Sequence, residues 1–216
     1  MHRSSRFALA SLTGFALLLA GCSTPGSPDA ASSSAPSTPS ASAPASSPSP
    51  SPTPANHTIE ISVDGVSVDG GAVAPYDDAD AVVQALTDAL GAPTETTVDA
   101  PYGGSYPAYD WEGLRATARE SRIDLRATAN QATASFIAVE GVGIGSTRTE
   151  AMAAGAEDEW DEDGDGVADY LKVGMREVPG TTSLVTGQVG VEYVSLTITD
   201  DVVTAILSGA NDFSDL

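Results

Sequence analysis

The sequence has few cysteine and histidine residues, and each shortage excludes a kind of chemistry. Cys22 is the only cysteine among 216 residues, so the chain can form no intramolecular disulfide and the part after it has no thiol catalyst. The histidines are His2 and His57, too few for a Cys/His metal spacing and a weak basis for a Ser–His system. No P-loop, dinucleotide-binding or G-x-S-x-G motif occurs. These absences predict a protein that is not an enzyme.

Basic residues are also scarce. The chain has nine of them against 30 acidic residues, and from residue 56 onward the numbers are seven and 29, a formal charge of −22. Phosphate binding needs the opposite sign, so nucleic acid is excluded as a partner. An anionic membrane surface would repel such a domain. The expected partners are cationic ligands, metal ions and basic proteins.

The first 22 residues are typical of a targeting segment. Arg3 and Arg6 precede an apolar run over 7–20, which is shorter than the ~20 residues that span a membrane and suits a signal peptide. The run ends in Leu-Ala-Gly-Cys at 19–22, which resembles a bacterial lipobox. The resemblance implies cleavage after Gly21 and a diacylglycerol, with acyl chains such as palmitate, on Cys22. We predict a signal peptide at 1–21 and a lipid anchor on the extracytoplasmic face of the cell membrane. An ordinary secretory peptide is the alternative.

Residues 22–55 are predicted to be a disordered tether. Beyond Cys22 they consist of Ser, Pro, Ala and Thr with one Gly and the single charge of Asp29, so almost nothing large and apolar can be buried. Frequent prolines favour extended polyproline II at about 3.1 Å per residue, which gives a limit of roughly 100 Å. The segment is interpreted as a stalk into or through a cell-wall layer, or as an inert and glycosylated spacer.

Residues 56–216 are long enough for one domain with its own core. Alternation at 59–63 predicts a strand, and the acids at 77–80 followed by Val82, Val83, Leu86 and Leu90 predict a helix that ends at Gly91. Further strands are predicted at 109–118, 122–129, 136–144, 168–178, 191–199 and 202–207, with a short helix at 150–154. The fold class is therefore α+β, with short helices packed on antiparallel sheets.

The order of elements repeats, which predicts two similar halves at 56–140 and 141–216. Residues 125–134 can be aligned without gaps to 196–205, with four identities. The helix opening at 142–151, the Leu-Gly-Ala-Pro at 90–93 and the Tyr-Asp-Trp at 109–111 resemble modules of the β-lactamase inhibitory protein and of the outer-membrane assembly lipoproteins that include BamE. The resemblance implies a non-catalytic binding protein.

An acidic loop at 161–169 has the spacing of a calcium site. Calcium needs several oxygen ligands around a tight turn, and D-x-D-x-D-G supplies them. The candidate ligands are Asp161, Asp163, Asp165, the carbonyl of Val167 and Asp169. The loop resembles those of EF-hand, dockerin and thrombospondin type 3 repeats, with Lys172 in place of the family's last acidic ligand. Calcium is the one cofactor predicted, and the alternative is a solvated acidic turn.

Four of the seven basic residues of the domain lie within twelve positions, at Arg115, Arg119, Arg122 and Arg126. Alternation of the residues between them favours a hairpin that turns at 120–121. Arg115 then faces Arg126, and Arg119 faces Arg122, so anionic neighbours are expected. Either the domain's own carboxylates neutralise the arginines, or the arginines form a binding face for an anionic protein or cell-wall polymer.

The function predicted from these features is a membrane-anchored lipoprotein with a binding or structural domain. Two alternatives stay open. A secreted inhibitor-like protein-binding module predicts a concave sheet rich in exposed aromatic side chains. A carboxylate-based cell-surface hydrolase predicts a cleft with two facing acids and apolar walls.

Overall fold

The computed structural model describes residues 56–101 and 103–214. The signal peptide, the lipidated Cys22 and the tether fall outside these residues and stay predictions. Within the described part of the chain, no helix is long and apolar enough to cross a membrane.

The described residues form eleven strands and two α-helices. The helices are α1 (Ala79–Leu90) and α2 (Arg148–Ala153), and a single 3-10 turn spans Val139–Gly141. The strands are β1 (His57–Ile61), β2 (Val66–Val68), β3 (Thr94–Asp99), β4 (Ser105–Trp111), β5 (Leu114–Ala118), β6 (Ile123–Ala127), β7 (Ala134–Ala138), β8 (Glu157–Trp160), β9 (Tyr170–Val178), β10 (Gly190–Thr199) and β11 (Val202–Asn211).

Eight of these strands form one antiparallel sheet in the order β3-β4-β5-β6-β11-β10-β9-β8. The order contains two four-strand meanders, β3–β6 and β8–β11, and one helix precedes each meander. The last strands of the two meanders pair with each other, with Ala127 opposite Ile206 and Arg126 opposite Leu207. The predicted α+β fold of two similar halves, each a short helix with an antiparallel sheet, is confirmed.

The gap-free alignment of 125–134 with 196–205 is wrong in register. It sets β6 against β10, whereas the topology makes β6 equivalent to β11, the final strand of each meander. Four identities among common residue types were too few to fix the register of a repeat.

A smaller sheet has the order β2-β1-β7. Strand β1 is antiparallel to β2 and parallel to β7, and Ile59 lies opposite Phe136. Both of these side chains are fully buried. The parallel pair joins segments that are more than 70 residues apart in the chain, so local patterning could not predict it.

The core lies between the smaller sheet, the helices and one face of the large sheet. Phe136 and Ile59 of the smaller sheet, Leu86 of α1, and Leu196 and Ile206 of the large sheet are all 0 % exposed and belong to one apolar cluster. Each such side chain contributes about 1.5–3 kcal/mol through burial. The core therefore uses only one face of the large sheet.

Both helices begin at well-formed caps. The Asp78 carboxylate accepts the backbone N–H of Ala81 at 3.0 Å at the start of α1, which ends at Gly91 with a positive φ. Helix α2 has a reciprocal capping box, in which Thr147 N donates to Glu150 at 2.7 Å and Glu150 N donates to the Thr147 hydroxyl at 3.2 Å. The first of these bonds lowers the pKa of Glu150.

Candidate functional site

The face of the large sheet that lies opposite the core is the candidate site, and we call it the open face. Side chains alternate along a strand, so the neighbours of the buried Leu196 and Ile206 point away from the core. Eight strands about 4.8 Å apart make this face about 34 Å wide, a size that suits a protein partner. One row crosses seven strands in register: Asp110, Arg115, Arg126, Leu207, Ser195, Lys172 and Glu157.

Strands β5 and β6 form the predicted arginine hairpin at the centre of this face. Arg115 lies opposite Arg126, and the backbone N–H of Arg119 donates to the carbonyl of Arg122 at 2.7 Å. The structure thus has the predicted register, which places like charges side by side.

Carboxylates of the domain neutralise three of the four arginines. Arg115 Nε lies 2.6 Å from Asp110 Oδ1, and this contact lowers the pKa of Asp110. The two guanidinium groups at the hairpin end, Arg119 and Arg122, share Asp124 at 2.5 and 2.9 Å. The expectation that anionic neighbours accompany the arginines therefore holds for these three.

Arg126 differs from them. Within residues 56–101 and 103–214 it has no carboxylate at ion-pair distance, whereas each of the other six basic side chains has at least one. Its side chain is exposed, and it lies between Arg115 on β5 and Leu207 on β11. Arg126 is thus the cation of this face that remains available to a partner.

Arg122 packs against the backbone of β11. Its guanidinium group lies 5.5 Å from the centre of the Tyr76 ring, a cation–π geometry. Gly209 has φ +76°, and a Cβ atom at this position would collide with the same guanidinium group. The Tyr76 hydroxyl donates to the carbonyls of Ser62 at 2.8 Å and Gly65 at 3.2 Å, and burial raises the pKa of Tyr76.

Three clefts of about 420, 430 and 420 Å³ meet along β11. Residues 207–211 contribute to all three: Gly209 lines the first two, and Leu207 lines the second and third. The first cleft also contains Arg176, which is paired with Asp64 and, at 2.6 Å, with Glu192. The second contains the arginine hairpin, and the third combines acidic with aromatic side chains.

We call the third the acidic–aromatic cleft, which is lined by Glu159, Trp160, Glu162, Tyr170, Tyr193 and Ser195. Glu159 accepts hydrogen bonds from the hydroxyls of Tyr193 at 2.7 Å and Ser195 at 2.8 Å. Burial and the Glu159 carboxylate raise the pKa of Tyr193. The indole of Trp160 is 62 % exposed, which is unusual for so large an apolar surface.

The second carboxylate of this cleft is held in the same way. Glu162 accepts a hydrogen bond from the Tyr170 hydroxyl at 3.0 Å, and this bond raises the pKa of Tyr170. Neither Glu159 nor Glu162 has a basic side chain at ion-pair distance within the described part of the chain. Neutral hydroxyls orient these carboxylates but leave their charge uncompensated.

The acidic loop gathers three of its five predicted ligands. Carboxylate oxygens of Asp161, Asp163 and Asp169 lie within 4.8 Å of one another, and Asp165 is outside this group. Asp161 accepts the backbone N–H of Gly164 at 2.7 Å and of Gly166 at 2.8 Å, and the second of these bonds lowers its pKa. The backbone thus satisfies the loop carboxylates, and calcium binding stays a prediction.

Comparison of the chain with protein-family models, with curated proteins and with solved structures found no match. The resemblance to inhibitor-like modules and to calcium loops therefore stays a prediction from the sequence. Function has to be inferred from the chemistry of the residues themselves.

The sequence analysis did not predict the acidic–aromatic cleft. Glu159 and Trp160 lie in a segment for which no strand was predicted, but it forms the edge strand β8. Tyr170 and Tyr193 lie on β9 and β10, 23 residues apart, and only strand pairing brings them to one surface. The one available signal was the alternation of Tyr193 and Ser195 with the apolar residues Val194 and Leu196 along β10.

Proposed function

We propose that this protein is a lipoprotein, anchored to the outer side of the cell membrane through Cys22, whose domain binds a protein or cell-wall polymer on its open face. The binding part of the proposal is supported by the exposed Arg126, which lies near the centre of the sheet face opposite the core and has no carboxylate at ion-pair distance within the described residues. The anchoring part rests on the basic start, the apolar run and the Leu-Ala-Gly-Cys at 19–22.

The charge balance supports binding over a purely structural role. In a domain with 29 acidic residues, a cation needed only for folding would be expected to lie beside one of them. Arg126 instead lies beside another arginine, Arg115, which costs some stability. An anionic group on a partner would offset that cost.

An inhibitor-like protein-binding module is the form of this function that the exposed aromatic side chains favour. Trp160 is 62 % exposed, and its cross-strand partner on β9 is the half-buried Tyr170. Exposed Trp and Tyr side chains are enriched at protein interfaces.

A surface hydrolase is the second candidate, because the acidic–aromatic cleft contains two carboxylates, Glu159 and Glu162, beside the apolar walls of Trp160 and Leu207. The test is an assay of the purified domain on cell-wall polysaccharide. Product release that disappears in Glu159→Gln and Glu162→Gln would establish the hydrolase and displace the binding proposal.

The anchor is tested by Cys22→Ala in the full-length chain. We expect wild-type protein to incorporate labelled palmitate and to fractionate with membranes, and the variant to lose the label and the membrane association. Equal membrane association of both proteins without label would contradict the lipid anchor.

Binding through the open face is tested by photo-cross-linking on intact cells. A benzophenone amino acid replaces Thr128, which lines a cleft with Arg115 and Arg126, and in a control it replaces the exposed Gln84 of α1. We expect a discrete cross-linked species from position 128 and none from position 84. The same pattern from both positions, or none from 128, would contradict the proposal.

The acidic loop is proposed to bind calcium with modest affinity, on the strength of its D-x-D-x-D-G spacing. Thermal melts of residues 56–216 in calcium, in magnesium and in excess EDTA test this. At 100-fold excess over Kd, calcium would add about 2.7 kcal/mol and raise Tm by very roughly 5–10 °C. We expect the calcium-dependent rise in Tm to be absent in Asp163→Ala. Identical melting curves of the wild-type domain in calcium and in EDTA would show that the loop is a solvated turn.

A further inference from the structure

The acidic–aromatic cleft points to the chemistry of the partner. Two features of the cleft are independent of each other. The carboxylates of Glu159 and Glu162 have no basic side chain at ion-pair distance among the described residues, and the Trp160 indole is exposed at their side. A cleft that combined the carboxylates with a neighbouring lysine or arginine would need no ligand.

The carboxylates are fixed in place before any ligand arrives. The two hydroxyl donors to Glu159 belong to Tyr193 and Ser195, which are each 6 % exposed. Glu162 is oriented by the half-buried Tyr170. Because the oxygens need no reorganisation on binding, the entropic cost of binding a cation is lower than for freely rotating side chains.

The aromatic side chain restricts the class of ligand. An exposed indole beside carboxylates suits a cation that also has an apolar stem, since the ring attracts the charge and covers the methylene groups. Lysine and arginine side chains have this form, whereas a hydrated metal ion has no apolar part. The volume of about 420 Å³ accommodates such a side chain.

The neighbouring surface argues for a side chain on a protein. Leu207 lies between the cleft and Arg126, so a cation and two carboxylates that form no ion pair among the described residues share the open face. A protein surface can present a lysine or arginine near an aspartate or glutamate at the complementary spacing. A neutral sugar would leave all three charges without partners.

We infer that the acidic–aromatic cleft binds a lysine or arginine side chain of a protein partner, with its cationic group at Glu159 and Glu162 and its stem against Trp160. This rests on the proposed function, because it names the chemistry of the partner that the open face would take. The inference also predicts the orientation of that partner, because an acidic group of the partner would lie next to Arg126.

The probe for the test is lysine with both ends blocked, Nα-acetyl-lysine N-methylamide, titrated into the full domain. The readout is the indole N–H signal of Trp160 in a proton–nitrogen correlation spectrum. Trp111 gives a matched internal reference, since it is 9 % exposed and its indole N–H donates to the Gly91 carbonyl at 2.8 Å on the core side. We expect a saturable shift of the Trp160 signal only, with a Kd on the order of 1–10 mM.

Charge dependence decides the inference. When the side-chain amine of the probe is acetylated, we expect the indole N–H signal of Trp160 not to shift. The double variant Glu159→Gln with Glu162→Gln is expected to weaken binding of the charged probe by about tenfold or more. The matched control is Asp158→Asn on β8, the strand that contains Glu159. The Asp158 carboxylate pairs with Arg148, so its loss should change the Kd of the charged probe by less than about twofold. An unchanged Trp111 signal reports that each variant is folded.

The inference is overturned if the charged and acetylated probes shift Trp160 equally, if the control variant weakens binding as much as the cleft variants, or if only N-acetylglucosamine causes a shift. It is also overturned if neither lysine nor the corresponding arginine probe shifts Trp160 at about 50 mM. The cross-link from position 128 is independent of these titrations. Cross-linking without lysine binding would remove this inference and keep the proposed function. Lysine binding without cross-linking would contradict the proposed function and, with it, the assignment of the cleft to a protein partner.

Discussion

The two faces of the large sheet are built from the same strands but differ in composition and role. On β10, the core side presents Val194 and Leu196, both fully buried, and the open side presents Tyr193 and Ser195, which hold a carboxylate. On β6, Leu125 is buried, and the adjacent Arg126 is exposed and has no ion-pair partner in the part of the chain that the structure describes. Stability is concentrated on the first face, and the uncompensated charges that suit a partner lie on the second.

The largest effect is expected from a cavity on the core face. Leu196→Ala removes a side chain that is 0 % exposed, so the free energy of unfolding should fall by about 2–5 kcal/mol. The matched control is Thr197→Ala, the next residue on the same strand but on the open side, for which we expect a change below about 1 kcal/mol. Urea unfolding measures both, and equal losses would contradict the division between the faces.

A smaller loss is expected from a buried hydroxyl that bonds to the backbone between β1 and β2. Tyr76→Phe removes the hydroxyl that donates to the carbonyls of Ser62 and Gly65, and it should cost about 1–3 kcal/mol although Gly65 still accepts hydrogen bonds from Ser62. Tyr109→Phe is the control, because the residue is half-buried and its hydroxyl makes no hydrogen bond within residues 56–101 and 103–214. If both variants are equally stable in urea, the hydroxyl of Tyr76 has no structural role.

The backbone of β11 should be sensitive on the open side as well. Gly209→Ala places a Cβ atom at φ +76° against the Arg122 guanidinium group, with an expected cost of about 1–2 kcal/mol. Gly180→Ala has a similar φ of +88° and open space around it, so it reports the backbone strain alone. A cost for Gly209→Ala no larger than for Gly180→Ala would show that Arg122 moves away freely.

Sequence patterning predicted the elements that have one apolar and one polar side. Helix α1 begins and ends next to the acids and the glycine that predicted it, and the β5–β6 hairpin has the predicted register. Sequence patterning did not predict β3 and β8, the two edge strands of the large sheet, because neither buries a regular set of apolar residues. Periodicity has no signal in such strands.

The candidate site was predicted in part for a related reason. The arginines are close in sequence, so their hairpin and their like-charge contact could be read from local alternation. The acidic–aromatic cleft needs β8, β9 and β10 side by side, and its donors Tyr170 and Tyr193 come from different strands. The sequence does not show the order in which the strands pair, so it gives no indication that the residues of this cleft lie side by side.

The most direct test of the division between the faces is the double variant Arg115→Ser with Arg126→Ser, examined for stability and for cross-linking. The lost contact of Arg115 with Asp110 is exposed, and the like-charge contact between the arginines is lost with it, so unfolding in urea should change by less than about 1 kcal/mol. We predict that the cross-link from position 128 disappears while stability is kept. A variant that loses stability but keeps the cross-link would contradict the account and would assign the arginines to the domain's own carboxylates.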